Sequence, residues 1–246
     1  RDPVNLEFST QDSDQHEAWL IKFPAEQGHP EVCAIEAVYA GCLRLCAIET
    51  PDTHFFNLPN GLTAFASKRF DRQNGMRIPM QSLAAYTGAD YKVPGSLDYR
   101  NFLRATLMCT QDVRERLHAF KRAVFNVLFN NRDDHTKNFS FLMEKNGQWK
   151  LAPAYDVTFC EGPGGYHQMD IMGEALNISR NDIHKLGTSE ANLTTLEVDE
   201  IILTMREIAL QFSQIAQRLY PHQIRESTLQ MIQSRIQQNI DFLTET

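Results

Sequence analysis

The residues best equipped for chemistry lie between positions 129 and 157, where Asp133, Asn138 and Asp156 bracket a stretch that reads as a β-hairpin. Asn146 and Gly147 stand between two β-prone runs, and Asn-Gly is the strongest short-range hairpin signal. With a two-residue turn there, Lys145 faces Gln148, and the same register carried outward sets Asn138 opposite Tyr155, next to Asp156. Asp133 lies in the loop just before the first strand. The open end of the hairpin therefore gathers two carboxylates and one amide. Hard oxygen donors of this kind suit a divalent cation, Mg²⁺ above all. A polar loop whose Asx side chains cap turns is the plainer account of the same residues.

The spacing says more. The interval from Asp133 to Asn138, with Arg132 in front, repeats that of a kinase catalytic loop. In such a loop the aspartate takes the proton of the attacking hydroxyl and the asparagine holds a metal ion. A later aspartate beyond a strand pair completes the metal site, and Asp156 stands there, in Tyr-Asp-Val rather than Asp-Phe-Gly. Lys22, among the apolar residues of Leu-Ile-Lys-Phe, is then the lysine that reaches the α/β-phosphates, with Glu36 as its helix partner. Glu31, at the start of that helix, instead favours the helix dipole. Taken alone, Lys22 reads as an edge-strand lysine.

Lys68, Phe70 and Asp71 end the first region where an adenine would lie, so backbone groups near Lys68 and Phe70 are candidates to read the base. A strand running into an Arg-Phe-Asp turn accounts for them almost equally well. His135 is a second candidate base, better suited to holding the loop by packing or hydrogen bonding. Lys137 is a candidate for stabilising the transferred phosphate, or a solvated lysine. Residues 162–165 (Gly-Pro-Gly-Gly) form a flexible turn without the spacing of a P-loop or a G-x-G-x-x-G motif.

Positioning these groups needs a scaffold. Residues 17–23 read as a strand ended by Pro24, Gly28 and Pro30. Residues 31–47 read as a helix, with Val32, Ile35, Tyr39, Cys42 and Cys46 at three- and four-residue steps. Two strand-like runs, 53–58 and 62–70, are joined by Pro59, Asn60 and Gly61, which predicts a hairpin. Strand, helix and hairpin make a small N-terminal lobe over residues 1–72. Beyond it, polar turn residues run to Gly95 and helical patterns follow. Helices are expected over 111–130, 197–219 and 221–243, the last with Pro221 at its first position. Residues 73–246 thus form a mostly helical second lobe, and the fold class is α+β.

Composition agrees. With 42% apolar and 22% charged residues the chain is globular, and its length allows roughly 70–75% of the unfolded surface to be buried. The 24 Lys+Arg against 31 Asp+Glu leave a net charge of −7, which excludes generic nucleic-acid binding through phosphate neutralisation. The five cysteines lack C-x-x-C pairing and read as buried free thiols, consistent with a reducing cytoplasm. No apolar run is long enough to span a membrane. The chain opens Arg1-Asp2-Pro3 without Met, so its true start is expected elsewhere.

With these residues assembled, the chain resembles the HipA family of bacterial serine/threonine kinases, toxins of type II toxin–antitoxin systems. The likeness rests on residues 20–24 (Leu-Ile-Lys-Phe-Pro), 35–39 (Ile-Glu-Ala-Val-Tyr), 68–72 (Lys-Arg-Phe-Asp-Arg), 131–140 (Asn-Arg-Asp-Asp-His-Thr-Lys-Asn-Phe-Ser) and 151–156 (Leu-Ala-Pro-Ala-Tyr-Asp). It reaches from Trp19 to about Gly187. It implies a two-lobed protein-kinase-like fold, akin to that of phosphatidylinositol 3- and 4-kinases, with ATP and Mg²⁺ as cofactors. It also implies Asp133 as catalytic base, Asn138 and Asp156 as Mg²⁺ ligands, Lys22 as the ATP lysine and residues 68–70 as the hinge.

By the same resemblance the substrate is an aminoacyl-tRNA synthetase whose phosphorylation arrests translation. The expected partner is a helix-turn-helix antitoxin, through which DNA is met only indirectly. A lipid kinase is an alternative, since phosphatidylinositol kinases share the spacing of Asp133, His135 and Asn138. A charge of −7 without a polybasic segment argues against an anionic membrane. Family members carry a glycine-containing phosphate loop with a serine upstream of the lysine strand, and residues 1–16 show none. The chain is therefore expected to be a fragment, or its site to lack phosphate cover. The second case motivates a further alternative, a non-catalytic interaction protein that binds an antitoxin or another partner.

Overall fold

The computed structural model describes residues 1–2, 7–10, 16–25 and 29–244; Gly28, expected to help end the first strand, lies outside them. Helices and small antiparallel sheets make up the fold, as expected for the α+β class. In the first sheet, β1 (Trp19–Lys22) pairs with β3 (Thr63–Lys68), which pairs with β2 (Thr53–Asn57), in the order β1-β3-β2. The β2–β3 hairpin closes over Pro59–Gly61, where Asn60 takes a φ of 62°, a left-handed conformation that Asn tolerates.

Helix α1 (Val32–Leu45) packs against this sheet and against the later helices. Cys33, Ala37 and Ala40 meet Phe65 of β3, whereas Val38, Tyr39 and Cys42 enter the main core. Tyr39 is fully buried and its hydroxyl donates to Phe129 O. The helix that carries Glu36 is thereby anchored on both sides.

The second hairpin departs from the expected register. Strand β7 (Ser140–Met143) pairs with β8 (Trp149–Leu151), with Phe141 opposite Leu151 and Met143 opposite Trp149. Glu144 N donates to Gln148 O at 2.7 Å, so Glu144 rather than Lys145 faces Gln148, a shift of one residue. A two-residue type I′ turn requires positive φ at both central positions. Only Gly147, at 83°, has it in the 145–147 turn, and Asn146 Oδ1 accepts from Gln148 N at 2.9 Å instead. The loop is therefore a three-residue connection ending in a left-handed glycine. Asn138 and Tyr155 both lie outside the paired strands. A further strand, β6 (Met80–Ser82), pairs with β7 within the stretch read as polar turns. β4 (Arg72–Gln73) and β5 (Met76–Arg77) form a short ribbon in the same stretch.

The rest is helical: α2 (Leu83–Thr87), α3 (Tyr99–Thr110), α4 (Val113–Leu128), α5 (Arg180–Glu190), α6 (Thr195–Leu210), α7 (Phe212–Leu219) and α8 (Glu226–Thr244). Asp112 starts α4 by accepting from Arg114 N at 2.9 Å. The helix expected over 197–219 is broken at Gln211. Gln233 of α8 satisfies the break, accepting from Ser213 N at 3.1 Å and donating to Ala209 O at 3.1 Å. Pro221 lies in a turn, and α8 begins only at Glu226. There Glu31 accepts from Arg225 N at 2.5 Å and from Thr228 Oγ1 at 2.7 Å, so a carboxylate remote in sequence caps the helix. Burial alone would raise the Glu31 carboxyl, but these hydrogen bonds and the Arg225 charge hold it below its ordinary value. Tyr99, Phe102, Phe120, Phe125 and Phe129 are fully buried in one core that α1 shares with the helices.

Candidate active site

A cleft of about 220 Å³ opens between the inner face of the first sheet, α1 and residues 154–157. Alternation along β1 turns Leu20 and Lys22 into it, beside Thr53, Phe65 and Ser67 of the neighbouring strands. β1 is an edge strand, yet the Lys22 side chain is only 33% exposed and makes two ion pairs. Its Nζ donates to Glu36 Oε1 at 2.7 Å and to Asp156 Oδ1. Burial pulls the ammonium down, but Glu36 and Asp156 together draw it above its ordinary value. Glu36, 13% exposed, is also raised, because burial outweighs the attraction of Lys22 and Asp156 repels it. The two shifts have different origins: desolvation dominates for the buried acid and paired charge for the lysine.

Asp156 has a φ of 56°, a left-handed conformation that Asp, like Asn, tolerates, and its side chain is 49% exposed. The loop before β7 supplies the rest. Asn138 is buried and its Nδ2 donates to Asp133 O at 2.8 Å, which leaves Oδ1 as an acceptor. The Asp133 side chain is 51% exposed. Burial of its carboxyl raises it above the usual range; His135, 3.9 Å away, opposes this, while Asp156 and Asp134 add to it. The structure therefore joins Lys22, Glu36 and Asp156 directly and sets Asp133 within electrostatic reach of Asp156. Asp133 and Asn138 touch through the backbone.

Other candidates take different places. His135 packs edge-on against Tyr91 at 5.6 Å, and Lys137 sits over the same ring at 3.7 Å. Lys68 pairs with Glu17 at 2.5 Å, and its amide donates to Asp52 O at 2.9 Å. Phe70 contacts Tyr155 at 5.5 Å and lines a separate cavity of about 640 Å³. Asp71 is held by Arg69, whose hydrogen bonds keep it below the usual carboxylate range against the effect of burial. None of these three lines the cleft, whose far wall is Thr50, Pro51 and Thr53. Tyr155 links the hairpin to the loop: its hydroxyl lies 2.6 Å from Ser140 Oγ and donates to Lys137 O at 2.7 Å.

The glycine turn is held in place. Gly162 has a φ of 71°, and a Cβ there would lie 2.2 Å from Tyr166 O and 2.8 Å from Arg132 Cβ. Arg132 donates to Gly165 O, tying the turn to the loop that carries Asp133. Asp134, beside Asp133, is fully buried. Two adjacent aspartates carry no local sign of which one faces inward.

One carboxylate and one amide oxygen match the low ligand count with which Mg²⁺ is held beside substrate phosphates. Among the described residues no group of three or more His, Cys, Asp or Glu forms a metal cluster. All five cysteines are free; Cys33, Cys42 and Cys46 are buried as expected, Cys109 and Cys160 only partly, and burial lifts the Cys46 thiol to about 12. Among the described residues no helix is long and apolar enough to cross a membrane.

Comparison with known proteins adds to this geometry. The family model of the HipA-like C-terminal domain matches residues 3–219. A putative kinase of Haemophilus influenzae is 28% identical over 124 residues, which cover 41% of this chain and 36% of that protein. Among solved structures, HipA of Shewanella oneidensis, in complex with HipB and operator DNA, superposes with a TM-score of 0.72 at 16% identity. That match covers 92% of this chain and 58% of the other. The proinflammatory kinase CtkA of Helicobacter pylori superposes with a TM-score of 0.60 at 14% identity, covering 92% of this chain and 88% of that one.

Proposed function

The chain belongs to the family of the HipA-like C-terminal domain, and on that premise we propose that it is an ATP- and Mg²⁺-dependent protein serine/threonine kinase. The observation that carries the reading is Lys22 bonded at once to Glu36 on α1 and to Asp156 beyond the hairpin. Phosphoryl transfer needs these groups together: a lysine on the phosphates, an acid that orients it, and an acid for the metal. The open cleft, about 220 Å³, is smaller than the roughly 300–1,000 Å³ of typical ligand sites, which suits a base with the phosphates reaching out along Lys22.

In this reading Asp133 accepts the proton of the substrate hydroxyl as its oxygen attacks the γ-phosphorus and the bond to ADP breaks. Asn138 Oδ1 and the Asp156 carboxylate would hold Mg²⁺, which when bound would neutralise the phosphate oxygens. Lys22, oriented by Glu36, holds the α/β-phosphates, and Lys137, on the same loop as Asp133, would neutralise the transferred group. His135 keeps the loop in shape. The lobes would divide at residues 1–72 and 73–246, in the two-lobed manner of protein and phosphatidylinositol kinases. The substrate would be an aminoacyl-tRNA synthetase and the restraining partner a helix-turn-helix antitoxin, with DNA met only through it. Transfer of ³²P from γ-labelled ATP to a bacterial lysate tests the reading. Asp133→Asn should lower it by about 10²–10⁴, the usual worth of a general base. Equal labelling by both proteins would sink the assignment.

A further inference from the structure

We propose that Asp134 is the residue that positions Asp133, through a buried hydrogen-bond network joining α3, α4 and the segment beyond the glycine turn. The inference rests on the reading of Asp133 as the base. Asp133 itself is half exposed and, among the described residues, its carboxylate accepts no hydrogen bond, His135 Nε2 lying 3.9 Å from it, so its aim must come from its neighbours in the chain. The next residue is the opposite case. Asp134 has no exposed surface and is bonded on both oxygens. Tyr99 OH donates to its Oδ2 at 2.7 Å, His167 Nδ1 lies 2.8 Å from the same oxygen, and Gln168 N donates to Oδ1 at 2.8 Å.

The network continues past it. Asn126 Nδ2 of α4 donates to Tyr99 OH at 2.9 Å, and Asn131 Nδ2 donates to Asn126 Oδ1 at 2.9 Å. Asn131 and Asp134 flank Arg132 and Asp133, so the backbone of the base is pinned on both sides to the helical core. On the far side, Gln168 O accepts from Gly95 N at 2.8 Å, which links the network to the loop before α3. Burying a carboxylate this completely is expensive unless every partner is in place. A surface aspartate would serve loop geometry as well if geometry were all that mattered for folding. The arrangement instead converts two adjacent aspartates into a reacting group and its mount.

The test is a double-mutant cycle read on ³²P transfer to a bacterial lysate, with ATP affinity measured by calorimetry in the presence of Mg²⁺. Asp134→Asn in the wild-type background should lower the maximal transfer rate about 10- to 100-fold, the scale of an ångström of misplacement, with ATP affinity within about twofold. In the Asp133→Asn background the same change should cost less than about threefold, because its route of action is already gone. A second pair covers poor folding or an unmeasurable background. His167→Asn keeps a donor where Nδ1 stood and should retain most activity, whereas His167→Ala should lose it with ATP binding intact.

Full loss from Asp134→Asn in both backgrounds, or loss of ATP affinity in step with rate, would show a merely structural role. Equal activity of His167→Asn and His167→Ala would do the same. Wild-type activity of Asp133→Asn overturns the reading of the base and this proposal with it. An inactive Asp133→Asn beside a fully active Asp134→Asn overturns the proposal alone.

Discussion

Two charged clusters meet near the cleft, and they differ in almost every physical respect. The Lys22–Glu36–Asp156 group is partly solvated, with side chains 33%, 13% and 49% exposed, and it joins β1 and α1 to the segment after β8. The group around Asp134 is dry at its centre, with Asp134 and His167 almost fully buried, and it ties α3 and α4 to the segment beyond the glycine turn. Solvated ion pairs contribute little to stability, because water screens them and ordering long side chains costs entropy. Dry polar networks are coupled to folding, since each missing partner leaves a group desolvated for nothing. The first cluster is therefore free to be shaped by chemistry, and the second by the need to hold a loop still.

That contrast can be broken by experiment. The largest effect is expected at Lys22: Lys22→Met should lower phosphoryl transfer by about 10²–10³, as loss of one electrostatic stabiliser does. Its unfolding free energy should change by less than about 1 kcal/mol, measured by denaturant titration. A large loss of stability there would erase the distinction. Tyr99→Phe should do the reverse for stability, costing about 1–3 kcal/mol by depriving Asp134 of a donor and Asn126 of an acceptor. An unchanged melting temperature would mean the dry network is not coupled to folding.

Acidity sharpens the comparison next. Burial, Asp156 and Asp134 hold Asp133 above the ordinary 3.8 of an aspartate. As pH falls through that raised value the proposed base gains its proton, so the acid limb of the transfer rate should have its midpoint above 3.8. A limb at or below it would contradict the environment seen here. The smallest effect concerns Glu31. Its folded-state carboxyl is held below the ordinary 4.5, so it stabilises the fold above that pH and the contribution fades as pH falls through the lowered value. Glu31→Gln should accordingly flatten the stability profile below pH 4.5, and an unaltered profile would show that the cap on α8 carries no pH dependence.

Much of the frame was readable in advance. The strand with Lys22, helix α1 and the β2–β3 hairpin follow from periodicity and turn residues within a few positions. Glu36 lies on α1 one turn beyond its start, on the side that meets the sheet, so its approach to Lys22 was also within reach. Strand β6 was not readable: Met80, Gln81 and Ser82 carry no alternation and become a strand only because β7 lies beside them. The break between α6 and α7 was hidden too, since the groups that satisfy it belong to Gln233 of α8. The hairpin turn failed by one residue because Asn-Gly serves both a two-residue turn and a three-residue loop with Gly147 last.

By itself the sequence determined the local elements and the chemical types gathered around Asp133, Asn138 and Asp156, because propensity, turn chemistry and spacing act over a few residues. Only the tertiary structure decided which of two adjacent aspartates is buried and which carbonyls and carboxylates cap remote helices. It also decided that Thr50 and Pro51, rather than Lys68 and Phe70, wall the cleft. The physical reason is that burial and hydrogen-bond satisfaction depend on partners such as Tyr99, His167 and Arg225, whose distance along the chain has no bearing on their distance in space.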